Sequence, residues 1–363
     1  MIETYTLIKQ SKSYKTLANN IIDYGMQSRM TQFLKHESIE LDVSHLDDRM
    51  VCLPRYRATG KVSSIKYAIA ETIWYASRQR QTSLIAKFGP IWKQMEDSNG
   101  LVNSNYGYQI FNNQDFEEKS AELIRKKKVR FLIASDENQH SRTDLVCNNA
   151  VDIYLDDENQ LSVRVVARSI DLIFGYPYDM FAAQLFVRYL QRYLMNKLNI
   201  STSFKNLRFD IENVHIYKRN ISSIQEIKDF NDTEFIVIDS EEIFSAIEKL
   251  DFETLDVSDV VAIRETLAQK AKIVDLRAMN ERSNEIRRFI YRDTKPLLLQ
   301  HRLFGKDVEY SRSIDRFNQV IEYLREDKFD RKNLIKYEDS LLYVTRIKHE
   351  LFADEYEVMK YDL

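Results

Sequence analysis

Apolar positions recur at helical spacing over Ile65–Ser77 (IKYAIAETIWYAS), which predicts a helix, and Phe116–Lys128 predicts a second, more polar one. Val129–Ala134, Ala150–Leu155 and Leu161–Arg168 are short runs rich in Val, Ile and Leu that predict strands. The last two are joined by the polar turn DDENQ and are expected to form an antiparallel hairpin. A long apolar helix is expected from Asp179 to Leu198, and a short strand at Asn213–Tyr217. Beyond Pro177 only Pro296 and Gly305 punctuate the chain, and Val257–Ala278 and Ser313–Glu326 read as amphipathic helices. Strands and helices mix without regular βα alternation, which points to an α+β fold, α/β in the broad sense. The texture changes near residue 220, so the expectation is a mixed core over 1–220 and a mainly helical C-terminal extension over 221–363.

Composition narrows the class. The 363 residues are 44% hydrophobic, 30% charged and 12% aromatic, too apolar for a disordered chain and long enough for two domains. A net charge of -3 with no polybasic tail gives no reason to expect a direct nucleic-acid or membrane-surface partner. The N-terminus lacks the apolar core of a signal peptide, and no run of about 18 apolar residues occurs, so no membrane span and a cytoplasmic location are expected, of a cell or an infected host. Cys52 and Cys147 lie far apart with no CxxC spacing, and no His/Asp/Glu spacing suits a metal, so neither a disulfide framework nor a metal is expected.

Several residues carry chemistry, each beside a plainer role. Cys147 follows a polar loop and precedes a strand; a lone cysteine is commonly a small buried apolar residue. Arg168 and Ser169 end the paired strand, and a guanidinium nearby would lower a thiol pKa below about 8.5 and favour the nucleophilic thiolate. Asp179 stands directly before the run MFAAQLFVRYL, where it could simply cap the helix. Glu71 lies within the apolar IAETIWY, either buried for a purpose or at the solvated edge of the helix. His215 and Tyr217 alternate onto one face of a strand, where two hydrogen-bonding rings could meet a sugar hydroxyl or serve the structure alone.

Taken in order, Gln27-Ser28-Arg29, Ala70-Glu71-x-x-Trp74, Ile91-Trp92-Lys93-Gln94, Asn103-Ser104-Asn105-Tyr106-Gly107, Cys147, Arg168-Ser169-x-Asp171, Gly175 and His215-Ile216-Tyr217 resemble the motif series of the thymidylate synthase superfamily. The phrase PIWKQMEDSNGLVNSNYG resembles the phage deoxycytidylate hydroxymethylases in particular, as do the asparagines after Cys147 in place of a histidine. The resemblance covers residues 20–220 and implies the superfamily's mixed sheet with helices. It also implies a one-carbon transferase of the deoxycytidylate 5-hydroxymethyltransferase type, with 5,10-methylenetetrahydrofolate as co-substrate. By position, Cys147 matches the nucleophile that adds to C6 of the pyrimidine and Glu71 the acid/base. Arg168, Ser169 and Arg29 match phosphate ligands, and His215 with Tyr217 the ligands of the ribose hydroxyl. Asp171 matches the carboxylate facing the folate, with Trp92 and Gly175 beside it, and Asp179 the reader of the base. An Arg-Arg pair that reaches the phosphate across a homodimer interface is replaced here by Lys128-Val129-Arg130, leaving Arg130 alone.

Asp179 bears on the base. Cytosine presents an N4 amine that a carboxylate can accept, whereas uracil presents O4, which opposes it; a buried mismatch costs about 1–3 kcal/mol. The expected substrate is therefore dCMP, with a dUMP hydroxymethylase or a thymidylate synthase-like methylase as the alternative enzyme. The alternative of another class is a catalytically silent homologue whose extension scaffolds a nucleotide-synthesis complex.

Overall fold

The computed structural model describes residues 4–6, 31–42, 49–57, 61–135, 138, 143–217, 220 and 234–275. Strands β1 (Thr4–Thr6), β2 (Thr31–Asp42) and β3 (Met50–Pro54) precede helix α1 (Ile65–Ser77), which occupies its predicted span. Ser64 caps α1 by accepting from the Tyr67 N–H at 3.1 Å, and Arg78 stops it in the left-handed conformation, φ 54°. A 3-10 turn at Ile85–Lys87 and the short helix α2 (Ile91–Gln94) lead to α3 (Tyr106–Phe111). Gly107 lets α3 touch α1 backbone to backbone, because a Cβ there would stand 1.9 Å from the Tyr75 carbonyl oxygen. Helix α4 (Phe116–Lys126) has acids in its first turn and bases in its last, as the helix dipole favours. It ends before the predicted Lys128 because Lys127 turns left-handed and Lys128 already opens β4 (Lys128–Leu132).

Strands β5 (Asn148–Leu155) and β6 (Gln160–Ala167) form the predicted antiparallel hairpin. They are followed by β7 (Ile170–Asp171), helix α5 (Tyr176–Leu198), β8 (Ser203–Tyr217), β9 (Glu234–Asp239), α6 (Ser240–Ile247), α7 (Val257–Lys270) and β10 (Lys272–Asp275). The strand expected at Asn213–Tyr217 is the end of the much longer β8, and the helix expected over 257–278 gives way to β10.

Among the described residues the main sheet runs β1-β2-β8-β6-β5-β4, with β7 pairing onto β8. It is mixed: β6 and β8 are parallel, whereas β2 and β8, β5 and β6, and β4 and β5 are antiparallel. The period-two alternation of strands divides its faces. Phe131, Ile153, Val163, Val165, Leu207 and Phe209 are buried on one face. The other carries a charged ladder in which Arg130 gives Asp152 two bonds at 2.5 and 2.8 Å and Arg164 donates to Asp210 at 2.5 Å. Helix α5 covers the apolar face, with Phe186 meeting Phe131 at 5.1 Å and Tyr176 meeting Phe209 at 5.4 Å between ring centroids.

A second, antiparallel sheet runs β10-β9-β3. Val51 and Leu53 of β3, Ile236 and Ile238 of β9, Phe244 of α6 and Val260 of α7 share one apolar core with Ile69 and Ile73 of α1 and Phe181 of α5. Gln184 of α5 enters it with its polar atoms satisfied, accepting from the Cys52 N–H at 3.0 Å and donating to the Cys52 carbonyl at 2.8 Å. Residues 234–275 are thus packed in the same core as α1 and α5, although the sequence texture changes near 220. The helix expected at 313–326 and the rest of the extension beyond 275 lie outside the described residues. No helix among the described residues is long and apolar enough to cross a membrane.

Candidate active site

Cys147 ends an irregular segment that feeds β5, and that segment is tied down from two sides. Buried Asp144 accepts from the Asn103 N–H at 2.6 Å, the Ser104 N–H at 2.8 Å and the Ser104 hydroxyl at 2.7 Å. Asn105 caps α3 and sends its amide to the Trp74 and Gln79 carbonyls, both at 2.8 Å. The run Asn103-Ser104-Asn105 therefore connects the Cys147 segment, α1 and α3. From the other side Arg168 donates its backbone N–H to the Cys147 carbonyl at 2.8 Å and its guanidinium to the Leu145 and Val146 carbonyls at 3.2 and 3.4 Å. Thiol and cation are held as one unit.

The thiol is not the low-pKa group expected from Arg168. Burial, together with Asp179, Asp144 and Asp171, pushes Cys147 up to about 12, and Arg168 offsets this only in part. The resting sulfur is a neutral thiol at pH 7, a correction to the sequence expectation. Its first cause is burial, to which the three carboxylates that folding brings near it add.

Glu71 is buried in α1, which resolves its two readings in favour of burial. Burial and the charge of Asp179 push it up to about 8, while the Tyr67 hydroxyl, donating to its Oε1 at 2.9 Å, pulls the other way. Trp92 of α2 donates its indole N–H to the Tyr67 oxygen at 2.9 Å and lies against Trp74, 4.8 Å between centroids.

Asp179 does not cap its helix. Helix α5 begins at Tyr176 with Gly175 as its cap residue and Pro177 in its first turn, where a missing N–H costs nothing. Asp179 is one turn inside, its N–H bonded to the Gly175 carbonyl at 2.9 Å. Its carboxyl instead meets the Asn148 amide beside Cys147, and burial pushes it up to about 7. Asn148 is itself buried, and its Oδ1 has no hydrogen-bond partner among the described residues. The two line a cavity of about 410 Å³ together with Tyr75, Tyr106, Ala183 and Phe186. Tyr106 is pushed well above 10 by burial and by Asp179, Cys147, Asp144 and Glu71, so its hydroxyl stays protonated.

Strand β7 lies parallel to β8, pairing Asp171 with His215. The Asp171 carboxyl accepts from the Ile173 N–H at 3.0 Å, and a Cβ on Gly175 would come within 2.9 Å of the Asp171 carbonyl oxygen. The Ser169 hydroxyl lies 3.1 Å from His215 Nδ1 and accepts from Asn213 at 3.3 Å, while the Tyr217 ring stands edge-on to the imidazole at 5.1 Å. Burial lowers the His215 pKa, which leaves the ring neutral at pH 7. The fold thus brings Asp179, Asp171 and Arg168 about Cys147, sets Glu71 near Asp179, and joins Ser169, between β6 and β7, to His215 and Tyr217 of β8. Arg130 is not brought to them within this chain, since Asp152 occupies its guanidinium. Arg29 lies outside the described residues. Sequence reasoning gave no site role to Tyr67, Asp144 or Asn148; Tyr67 left a signal, four residues before Glu71 on one helix face, and Asn148 entered only as part of the motif after Cys147.

The family model for thymidylate synthase matches residues 12–269. Deoxycytidylate 5-hydroxymethyltransferase of Enterobacteria phage T4 is 28% identical over 172 residues, covering 43% of this chain and 68% of that protein, and the phage T2 enzyme gives the same figures. Among solved structures, thymidylate synthase from T4 phage superposes with a TM-score of 0.48 at 15% identity, over 72% of this chain and 94% of that one. Thermostable thymidylate synthase A from Bacillus subtilis gives 0.47 at 17%, over 73% and 95%. The family match spans well over half of the chain and every described residue of the site, and the chain belongs to the thymidylate synthase family.

Proposed function

We propose that this one-carbon transferase 5-hydroxymethylates dCMP. The observation that carries the substrate is Asp179: freed of any capping duty and held by Asn148 next to Cys147, its carboxyl has an oxygen to offer a base amine. Arg168 spends two of its five N–H donors on Leu145 and Val146, which leaves donors for a phosphate, with the Ser169 hydroxyl adjacent in sequence. Neutral His215 and Tyr217 supply hydrogen-bonding groups for the sugar.

The residues present suit a folate. Ile91, next to Trp92 in sequence, and Phe174, three residues after Asp171, are exposed apolar side chains, of the kind that the flat ring of a folate would cover. Trp92, Asp171 and Gly175 would hold 5,10-methylenetetrahydrofolate, which supplies a one-carbon unit at the oxidation level of formaldehyde. Cys147 Sγ bonds to C6 of the pyrimidine as its proton passes to a carboxylate beside it, and the electron pair of the C5–C6 double bond moves to C5 and makes it nucleophilic. Because the thiol rests neutral, the attack requires that a proton be taken from it. Glu71, with its pKa near 8, is mostly protonated at pH 7 and can both give and take a proton. By family resemblance the active unit is a homodimer in which Arg130 serves the neighbouring site.

A specific observation supports the deoxyuridylate alternative. With a pKa near 7, Asp179 is neutral part of the time, and a neutral carboxyl can donate to O4. The test is kcat/KM for dCMP and dUMP with methylenetetrahydrofolate at pH 6 and 8, with mass analysis of the product. The expected result is a dCMP preference that weakens at the lower pH and a hydroxymethyl product; a dUMP preference at both would overturn the reading.

A further inference from the structure

We propose that Tyr67 is a positioning residue that commits one oxygen of Glu71 to the protein and leaves the other, Oε2, as the atom that exchanges protons with the substrate. The inference rests on the reading of Glu71 as the acid/base.

The direction of the chain Trp92, Tyr67, Glu71 follows from donor inventory alone. An indole N–H can only donate, so at 2.9 Å from the Trp92 Nε1 the Tyr67 oxygen must accept. The single phenolic proton is then left for Glu71 Oε1, also 2.9 Å away. Burial and the neighbouring carboxylate push the Tyr67 pKa well above 10, so this donor persists across the working pH range. A proton on Oε1 would face the Tyr67 proton, and the acid form of Glu71 therefore carries its proton on Oε2.

The tyrosine is itself held. Its ring meets Tyr178 of α5 edge-on, 4.7 Å between centroids and 66° between planes. Gly89 makes room for it, since a Cβ there would come within 2.8 Å of the ring. Among the described residues the other groups facing Glu71 are Asp179 and Tyr178 of α5, Tyr75 of α1 and Tyr106 of α3, none of them a cation. Tyr67 is accordingly the group among them whose hydrogen bond favours the ionised form.

The test follows the Glu71 carboxyl by carbon-13 NMR titration, and the pH profile of kcat, in the wild type, Tyr67→Phe, Trp92→Phe and the double variant. In Tyr67→Phe the Glu71 midpoint should rise by about one pH unit, a roughly tenfold change in its ionisation, and the matching limb of kcat should move with it. Nucleotide affinity should hold. Trp92→Phe should raise the midpoint less, because the freed hydroxyl can turn away, and the double variant should match Tyr67→Phe alone. An unmoved midpoint in folded Tyr67→Phe, or full additivity of the two shifts, would overturn the proposal. A shifted midpoint in a protein whose wild type turns over neither nucleotide would uphold the proton order and reject the proposed function.

Discussion

Asp179→Asn should reverse base preference and stabilise the protein at alkaline pH. For selectivity, the substitution turns a matched contact to the cytosine amine into an opposed one and does the reverse for uracil O4. A buried mismatch costs about 1–3 kcal/mol, so each nucleotide's kcat/KM should move by about fivefold to 150-fold, in opposite directions. For stability, no cap is lost, because Gly175 occupies that position; removal of a charge in the first turn costs about 0.3–1 kcal/mol. Against this stands the Asp179 pKa, raised from 3.8 to about 7. An acid raised on folding leaves stability intact below its unfolded pKa and costs it progressively as pH climbs to the folded value. Roughly three units at about 1.36 kcal/mol each set an upper bound of about 4 kcal/mol above pH 7. The variant should therefore melt above the wild type at pH 8, with the gain vanishing towards pH 4. The assay pairs thermal melts at pH 4, 6 and 8 with the ratio of kcat/KM for dCMP and dUMP, since single rates also feel the lower Glu71 and Cys147 pKa values of the variant. An unchanged ratio would refute the base reading, and a lower melting temperature at pH 8 would refute the burial argument.

Cys147→Ser should fold and bind nucleotide yet lose turnover by several orders of magnitude, since a hydroxyl cannot replace the covalent step; near-normal turnover would refute that role. Cys52→Ser is the matched control and should remain active, because Cys52 is buried against Gln184 away from the chemistry. Sedimentation should show a symmetric dimer, and a monomer fully active at nanomolar concentration would overturn the cross-subunit role of Arg130.

Much of the fold was legible where one periodicity ran unbroken. Helix α1 reads correctly from end to end because a single apolar run is bounded by Ser64 and Arg78. Strand β8 was mostly invisible because its buried positions step from Phe204 to Leu207 and from Ile211 to Val214, breaking the alternation; the first step coincides with a register shift against β6. The start of α5 was misread because Gly-Tyr-Pro-Tyr resembles a turn, whereas Pro177 fits the first turn of a helix. Candidate site residues could be matched one by one, but their ionisation could not. Cys147 owes its raised pKa first to burial and then to carboxylates at 179, 144 and 171, and the Trp92 partner of Tyr67 comes from a separate helix.

The pairing of β3 with β9 sets an order on folding during synthesis. Strand β3 leaves the ribosome early, yet the strand that hydrogen-bonds it spans residues 234–239 and the side chain that clamps Cys52 is residue 184. At about 5–20 residues per second, Val51 and Leu53 wait roughly ten to forty seconds for their neighbours. Throughout that interval an apolar strand with an open edge is available to other nascent chains. Release from that exposure comes only when β9 emerges, so a polypeptide stopped near residue 220 would carry every described residue of the site and still lack the strand that closes its second sheet.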